Sequence, residues 1–156
     1  MTGVNVVIDA SDAVKKLEQL GVEIRPDELM NRIGIAGQAE INLSFRREGN
    51  DEGRWLPLKP ATIAARRTGP NIGGGVKILQ DTGRLLQSVT FNPRQDSVDV
   101  GAGTEYGFRH QEGQGVPRRP FLPSLKRATE IAVKVIENWL KELARRVRVG
   151  PDTGGG

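Results

Sequence analysis

The chain has 156 residues, 37% of them hydrophobic and 27% charged, with a formal net charge of +4. That length supports one domain with a modest core, and the mild basic excess falls short of a dedicated nucleic-acid coat. With no cysteine there is no disulfide framework and no Cys-based zinc site, and no apolar run reaches the roughly 18 residues of a membrane span.

The N-terminus, MTGVNVVIDA, lacks the basic region and long apolar segment of a signal peptide, so the chain is expected to be made in the cytoplasm. VNVVI (4–8) is β-branched and predicts a short strand. DASDAVKKLEQLG (9–21) predicts a helix. Asp9 or Ser11 caps it, Val14, Leu17 and Leu20 share one face, and Gly21 stops it. Pro26 opens a second helix, with Asp27 and Glu28 in the first turn, where acids favour the helix dipole. Met30, Ile33, Gly37, Ile41 and Phe45 form its apolar stripe, to about Arg46. Gly34 and Gly37 each lower helix propensity by about 1 kcal/mol relative to alanine, which points to close packing there, as against another helix.

REGNDEGRWLPLKP (47–60) reads as a loop, and PATIAARR (60–67) as a short helix begun by Pro60. TGPNIGGGVK (68–77) reads as a mobile glycine-rich excursion. In ILQDTGRLLQSV (78–89), Asp81 or Thr82 caps a helical turn. SVTFNP and SVDVGAG (88–93 and 97–103) predict two strands joined by a turn. TEYGFRHQEG (104–113) predicts a short helix ended by Gly113. The clearest helix runs over about 123–148, with a stripe of Leu125, Ala128, Ala132, Val135, Ile136, Trp139, Leu143 and Val147. The expected fold is α+β: a small, mostly antiparallel sheet packed with two long helices, one N-terminal and one C-terminal, plus extended loops. Residues 1–149 form a single domain and 150–156 a flexible tail.

Charge is uneven along the chain. Residues 1–31 hold six acids against three bases, and residues 118–148 hold nine Lys/Arg against three Glu. Unlike ends suit head-to-tail subunit packing that closes a ring. Arginines recur in pairs or clusters: Arg46–Arg47, Arg66–Arg67, Arg118–Arg119, and Arg145, Arg146 and Arg148. Arg makes planar contacts with carboxylates and phosphates, so these groups suit acidic faces of neighbouring subunits or a channel that passes DNA without reading its sequence. Trp55, in an otherwise polar loop, is a packing anchor or, together with arginine, an interface residue.

Catalytic signatures are weak. His110 is the one histidine, four residues from Tyr106 and near Glu105 and Glu112. A histidine beside carboxylates can serve in acid–base work or bind metal, but no HExxH-type spacing and no recognisable serine elbow accompany it. Tyr106 and His110 then read as residues that pack a loop onto the sheet and supply hydrogen bonds. GPNIGGGVK evokes a phosphate loop but lacks the GxxxxGK-Ser/Thr pattern. No cofactor or metal is expected.

Four motifs stand in order. RWLPLKPAT carries Trp55, Pro57, Leu58 and Thr62; ILQDTGRLL carries Leu79, Asp81, Thr82, Gly83 and Leu85. VDVGAGTEYGFRHQEG carries Val98, Val100, Gly101, Tyr106, His110, Gln111 and Gly113; RRPFLP carries Arg119, Pro120, Phe121 and Leu122. This order and spacing over 55–122 resembles the Mu-like virion morphogenesis family of tailed phages, the tail-completion proteins. Many members have alanine after the tyrosine, where this chain has Gly107.

The resemblance implies a structural protein, not an enzyme, in the virion. It would form a homo-oligomeric ring, six-fold by the symmetry of phage tails, at the head–tail junction. There it would complete or terminate the tail and meet the tail tube or terminator and the head connector. Loops 47–60 and 68–78 would reach neighbouring subunits. Trp55, Leu58, Arg66, Arg67, Asp81, Tyr106, His110, Arg118, Arg119 and Phe121 are the expected interface residues. Arg145, Arg146 and Arg148 are the expected contacts to packaged DNA in the lumen. The alternatives are a non-specific DNA-binding protein and, more distantly, a metal-dependent hydrolase using His110.

Overall fold

The computed structural model describes residues 3–68, 77–80 and 83–148; of Thr68, Val147 and Arg148 only the backbone is described. Residues 69–76 of the expected glycine-rich excursion (68–77), the caps Asp81 and Thr82 and the tail from 150 lie outside the described residues.

Strand β1 is Val4–Asp9, and its alternation turns Val6 and Ile8 inward. Helix α1, Ser11–Gln19, follows at once, because the Asp9 carboxylate accepts the Ser11 N–H at 2.8 Å. It buries Val14 and Leu17, but Leu20 is 77% exposed, so the expected stripe ends one turn early. The chain turns out of α1 at Gly21, whose φ of +73° suits a residue without Cβ. Helix α2 spans Pro26–Arg47 and buries the whole expected stripe. It ends at Glu48, a left-handed residue at φ 55°. Three bonds hold that turn. The Glu48 carbonyl accepts the Trp55 N–H at 2.8 Å, its carboxylate accepts the Ile78 N–H at 2.8 Å, and Gln80 donates to the Phe45 carbonyl at 2.9 Å.

β4 (Val89–Pro93) and β5 (Ser97–Ala102) form the expected hairpin. β5 is central, with β1 and β4 antiparallel on either side. The register puts Val6, Val100 and Phe91 on one face and Val7, Asp99 and Asn92 on the other. Helix α2 covers the first face. A Cβ on Gly34 would lie 2.2 Å from the Phe91 ring, and one on Gly37 would lie 2.9 Å from a Val100 methyl. The two glycines therefore bring α2 down onto the sheet, not onto another helix, because β-branched and aromatic side chains fill the space a Cβ would need.

Helix α6, Leu125–Arg148, runs antiparallel to α2. Arg127 grips Glu40 through two bonds of 2.8 and 3.0 Å, and Arg32 donates to Glu142 at 2.9 Å. Ala128, Ile131, Ala132, Ile136 and Trp139 are buried. Leu125, expected in this stripe, is 75% exposed at the first residue of the helix. Antiparallel packing also revises the reading of the charged ends. Arg146, late in α6, shares a surface cavity with Glu23, Arg25 and Glu28 of the α1–α2 connection. The basic and acidic ends thus lie side by side in one subunit, not on opposite faces.

The remaining elements are short. The segment expected as a plain loop over 47–60 contains a small hairpin, β2 (Gly49–Asn50) with β3 (Gly53–Arg54). Helix α3 is Pro60–Thr68, α4 is Arg84–Gln87 and α5 is Glu105–Glu112. Gly83, at φ 75°, occupies the cap position of α4. Among the described residues no helix is long and apolar enough to cross a membrane.

Candidate assembly joint

The segment between α5 and α6 is an ordered strap. Gly113 ends α5 in the left-handed region at φ 78°, and the N–H groups of Gly113 and Gln114 both return to the Arg109 carbonyl. Arg119 N–H then donates to the His110 carbonyl at 2.8 Å, which folds the strap back along the helix. The Gln111 side-chain oxygen accepts the N–H groups of Phe121 and Leu122 at 3.0 and 3.1 Å. One amide oxygen thereby does for the strap what a neighbouring strand would do, satisfying backbone donors that would otherwise be stranded.

The 47–60 segment closes on the other side of the strap. Trp55 donates its indole N–H to the Pro120 carbonyl at 2.6 Å. The Arg119 guanidinium donates to the Leu56 and Pro57 carbonyls at 2.9 and 3.2 Å. Asn50 donates to the Leu122 carbonyl at 2.8 Å. Asp51 accepts the Ser124 N–H at 2.9 Å and its hydroxyl as well, while the Ser124 oxygen accepts the Arg127 N–H at 3.2 Å. That last bond is an N-cap on α6. Burial disfavours the Asp51 carboxylate, but the Ser124 bonds outweigh it and hold its pKa below the usual carboxylate value.

Beneath the strap lies an aromatic cluster. Phe45 meets Trp55 edge-on at 5.6 Å between ring centres and Phe121 at 5.7 Å. Phe45 and Phe121 are fully buried, each burial contributing about 1.5–3 kcal/mol. Three of the sequence motifs therefore hold one another. The tryptophan loop binds the Arg-Pro-Phe-Leu stretch, and the His-Gln segment binds it from the opposite side.

The sequence-named residues divide between inside and outside. Trp55, Arg119 and Phe121 are buried within their own subunit, where they shape the joint. The 47–60 segment, expected as a reaching arm, is fastened down by the bonds just described, because its carbonyls and side chains are satisfied internally. Leu58 is half-buried against the core, and Arg66 is half-buried. Arg67, Tyr106, Arg118, Arg145 and Arg146 are exposed, with Arg118 paired to Glu52 at 3.1 Å. Asp81 and the Arg148 side chain lie outside the described residues.

Tyr106 and His110 share a face of α5, their rings perpendicular at 6.4 Å. The expectation that they supply hydrogen bonds fails at one nitrogen of the imidazole. Its Nδ1 is buried with no partner among the described residues; the His110 backbone carbonyl makes the bond to the strap instead. Burial, and then the nearby Arg119 charge, lower the His110 pKa below 6.5. Among the described residues, no group of three or more His, Cys, Asp or Glu side chains is placed to hold a metal.

His110 lines a cavity of about 390 Å³. Arg66, Arg84 and Arg119 line it too, with Leu79, Leu85 and Tyr106 as its less polar wall. Gly107 packs at its edge, where an added Cβ would lie 3.0 Å from a Leu85 methyl. The alanine common at this position in the resembling family would need that methyl to yield a few tenths of an ångström.

Sequence reasoning missed Asn50, Asp51 and Ser124 as structural ties. Ser124, after Pro123 and just ahead of an apolar-striped helix, carries a readable cap signal. Asn50 and Asp51 carry only a turn signal, and nothing in the sequence announces a partner more than seventy residues away.

A family model for the phage virion morphogenesis family matches residues 8–141 of this chain. Searches of curated proteins and of solved structures found no match.

Proposed function

The chain belongs to the phage virion morphogenesis family, and from that premise we propose that it is a ring-forming protein of the head–tail junction, with no catalytic activity of its own. Membership gives a structural role in virion morphogenesis and association with the virion. In the proposed role, six copies form a ring that completes or terminates the tail. The ring joins the tail tube or terminator to the head connector, and assembly takes place in the host cytoplasm.

The observation that supports this is the family match running through the whole joint, from the tryptophan loop to the start of α6. A subunit whose motif residues serve to fix the shape of one strap is suited to presenting a rigid surface, which is what a closed ring requires of each copy. Exposed Arg67, Tyr106 and Arg118 are the neighbour-facing residues in this proposal, and Arg145, Arg146 and Arg148 would face DNA in the lumen. A second reading, non-specific DNA binding, rests on exposed Arg145 and Arg146. The acids Glu23 and Glu28 beside Arg146 weaken it, since binding free DNA must overcome their repulsion of phosphate, whereas DNA already threaded through a lumen needs no such affinity.

Mass measurement of the purified chain, alone and with tail and connector components, tests the proposal. A ring of defined size supports it. A chain that stays monomeric under all those conditions refutes it.

A further inference from the structure

We propose that the exposed face of α2 docks on the same face of a second copy of this chain, the two helices packing antiparallel about a two-fold axis near residue 37. Such a pairing is complete with two copies. It is therefore a different contact from the one that repeats around a ring, and it stands independently of the ring reading.

Helix α2 has three sides. One packs on the sheet through Gly34 and Gly37, and a second meets α6, where Arg32 and Glu40 hold Glu142 and Arg127. The third side is open. Between residues 29 and 45 its exposed members are Asn31, Ile35, Ala39 and Asn42, at helical spacing and without a charge among them. Ile35 is 54% exposed. The open face of α6 is the comparison within the same molecule, and it carries six exposed charged residues between Lys126 and Glu142. A solvated helix face is charged, as that of α6 is, whereas the core of an interface is depleted of charge, as the α2 face is.

The ends of the face supply the charge. Asp27 in the first turn and Arg46 in the last are exposed, and neither forms an ion pair with a described residue. The amides of Asn31 and Asn42 likewise make no hydrogen bond among the described residues. Acids at the start and bases at the end suit the dipole of any helix, so the ends alone decide nothing. The symmetry of the whole face is what names the partner. Asp27 with Arg46, Asn31 with Asn42 and Ile35 with Ala39 are three pairs, each placed evenly about residues 36–37. Laid antiparallel on its own copy, the face meets its complement: carboxylate on guanidinium, amide on amide, aliphatic on aliphatic. Ala39 is small enough to leave room for the partner's Ile35, and the opposed helix dipoles favour the same arrangement. From Asp27 to Arg46 the face is about 28 Å long at 1.5 Å per residue. One helix face of that length is a small contact, so the dimer forms and parts with concentration.

The register is tested by cross-linking. The chain has no cysteine, so an introduced thiol is unique. Asn31→Cys and Asn42→Cys are made separately. In the paired state each position lies about 16 Å along the helix from its own copy, beyond the roughly 7 Å that a disulfide spans, and opposite the other position. An oxidised equal mixture of the two variants is therefore expected to give cross-linked dimer many times faster than either variant alone. Either variant linking to itself as fast as the mixture overturns the pairing. Sedimentation of the full chain is the second arm. The wild type is expected to show a concentration-dependent dimer. Ile35→Lys, which buries a charge without a partner, weakens it about ten-fold or more, and Val133→Lys, on the open face of α6, leaves it unchanged. Circular dichroism checks that the variants remain folded. If the two lysine variants act alike, or the wild type shows no dimer at any concentration, the proposal is wrong while the ring reading stands. If Ile35→Lys spares self-association but blocks joining to tail or connector components, the face takes a different protein and the proposal is wrong as well.

Discussion

Gln111 offers the sharpest test of the joint. Its side-chain oxygen is the acceptor for two consecutive strap donors, the N–H groups of Phe121 and Leu122 at 3.0 and 3.1 Å. Gln111→Leu keeps the volume and removes the acceptor, leaving both donors without a partner. Each orphaned donor costs about 1–1.5 kcal/mol at a half-buried site, so the total is about 2–3 kcal/mol. For a chain of this size that corresponds to a fall in Tm of about 4–12 °C. Gln111→Glu keeps an acceptor oxygen in the same place and is expected to cost less than about 1 kcal/mol at neutral pH. The assay is thermal and urea unfolding of the three proteins side by side, followed by far-ultraviolet circular dichroism. If Gln111→Leu and Gln111→Glu lose the same stability, the acceptor role is wrong. If Gln111→Leu unfolds with the wild type, the strap is held by other means.

Four further outcomes follow from the same geometry. Trp55→Phe removes the donor to the Pro120 carbonyl and is expected to cost about 1–3 kcal/mol in urea melts; an unchanged midpoint would contradict the bond. Phe121→Ala empties a fully buried site and is expected to cost about 3–5 kcal/mol, and with Arg119→Ala it should depress virion yield far more than Lys15→Ala. Equal tolerance of all three in a virion-assembly assay counts against the joint. Gly34→Ala is expected to destabilise despite the better helix former, because its Cβ would meet the Phe91 ring at 2.2 Å and overpacking by about 1–3 kcal/mol exceeds a propensity gain of about 1 kcal/mol. A raised Tm would mean the ring moves aside freely. His110, whose pKa is lowered below 6.5 on folding, takes up its proton more readily in the unfolded chain. Its contribution is therefore complete above pH 6.5 and lost as pH falls through the lower folded value. His110→Gln should flatten that part of the stability–pH curve, and an unchanged slope would show that the ring is not desolvated.

Local chemistry made most of the fold legible. Pro26 with two acids starts α2, Gly21 and Gly113 stop helices at positive φ, and the β-branched run at 4–8 and the two strands joined by a turn form as expected. These features depend on residues a few positions apart, whose preferences survive in any context. The close approach at Gly34 and Gly37 was legible too, but its partner was not. A missing Cβ shows that something comes near without saying whether a helix or a sheet fills the space.

What the sequence determined by itself is therefore most of the elements, their approximate limits and the family, the last through motifs whose order and spacing carry the resemblance. The tertiary structure decided what the motifs do. It brought Trp55 to Pro120, Gln111 to Phe121 and Asp51 to Ser124, and so gave motif residues such as Trp55 and Phe121 partners within the subunit. It also laid α6 antiparallel to α2, which put acidic and basic ends side by side. The physical reason is common to both. Buried aromatic rings and backbone donors need partners, and which ones they meet depends on the folded path of the chain, over separations that no local preference encodes.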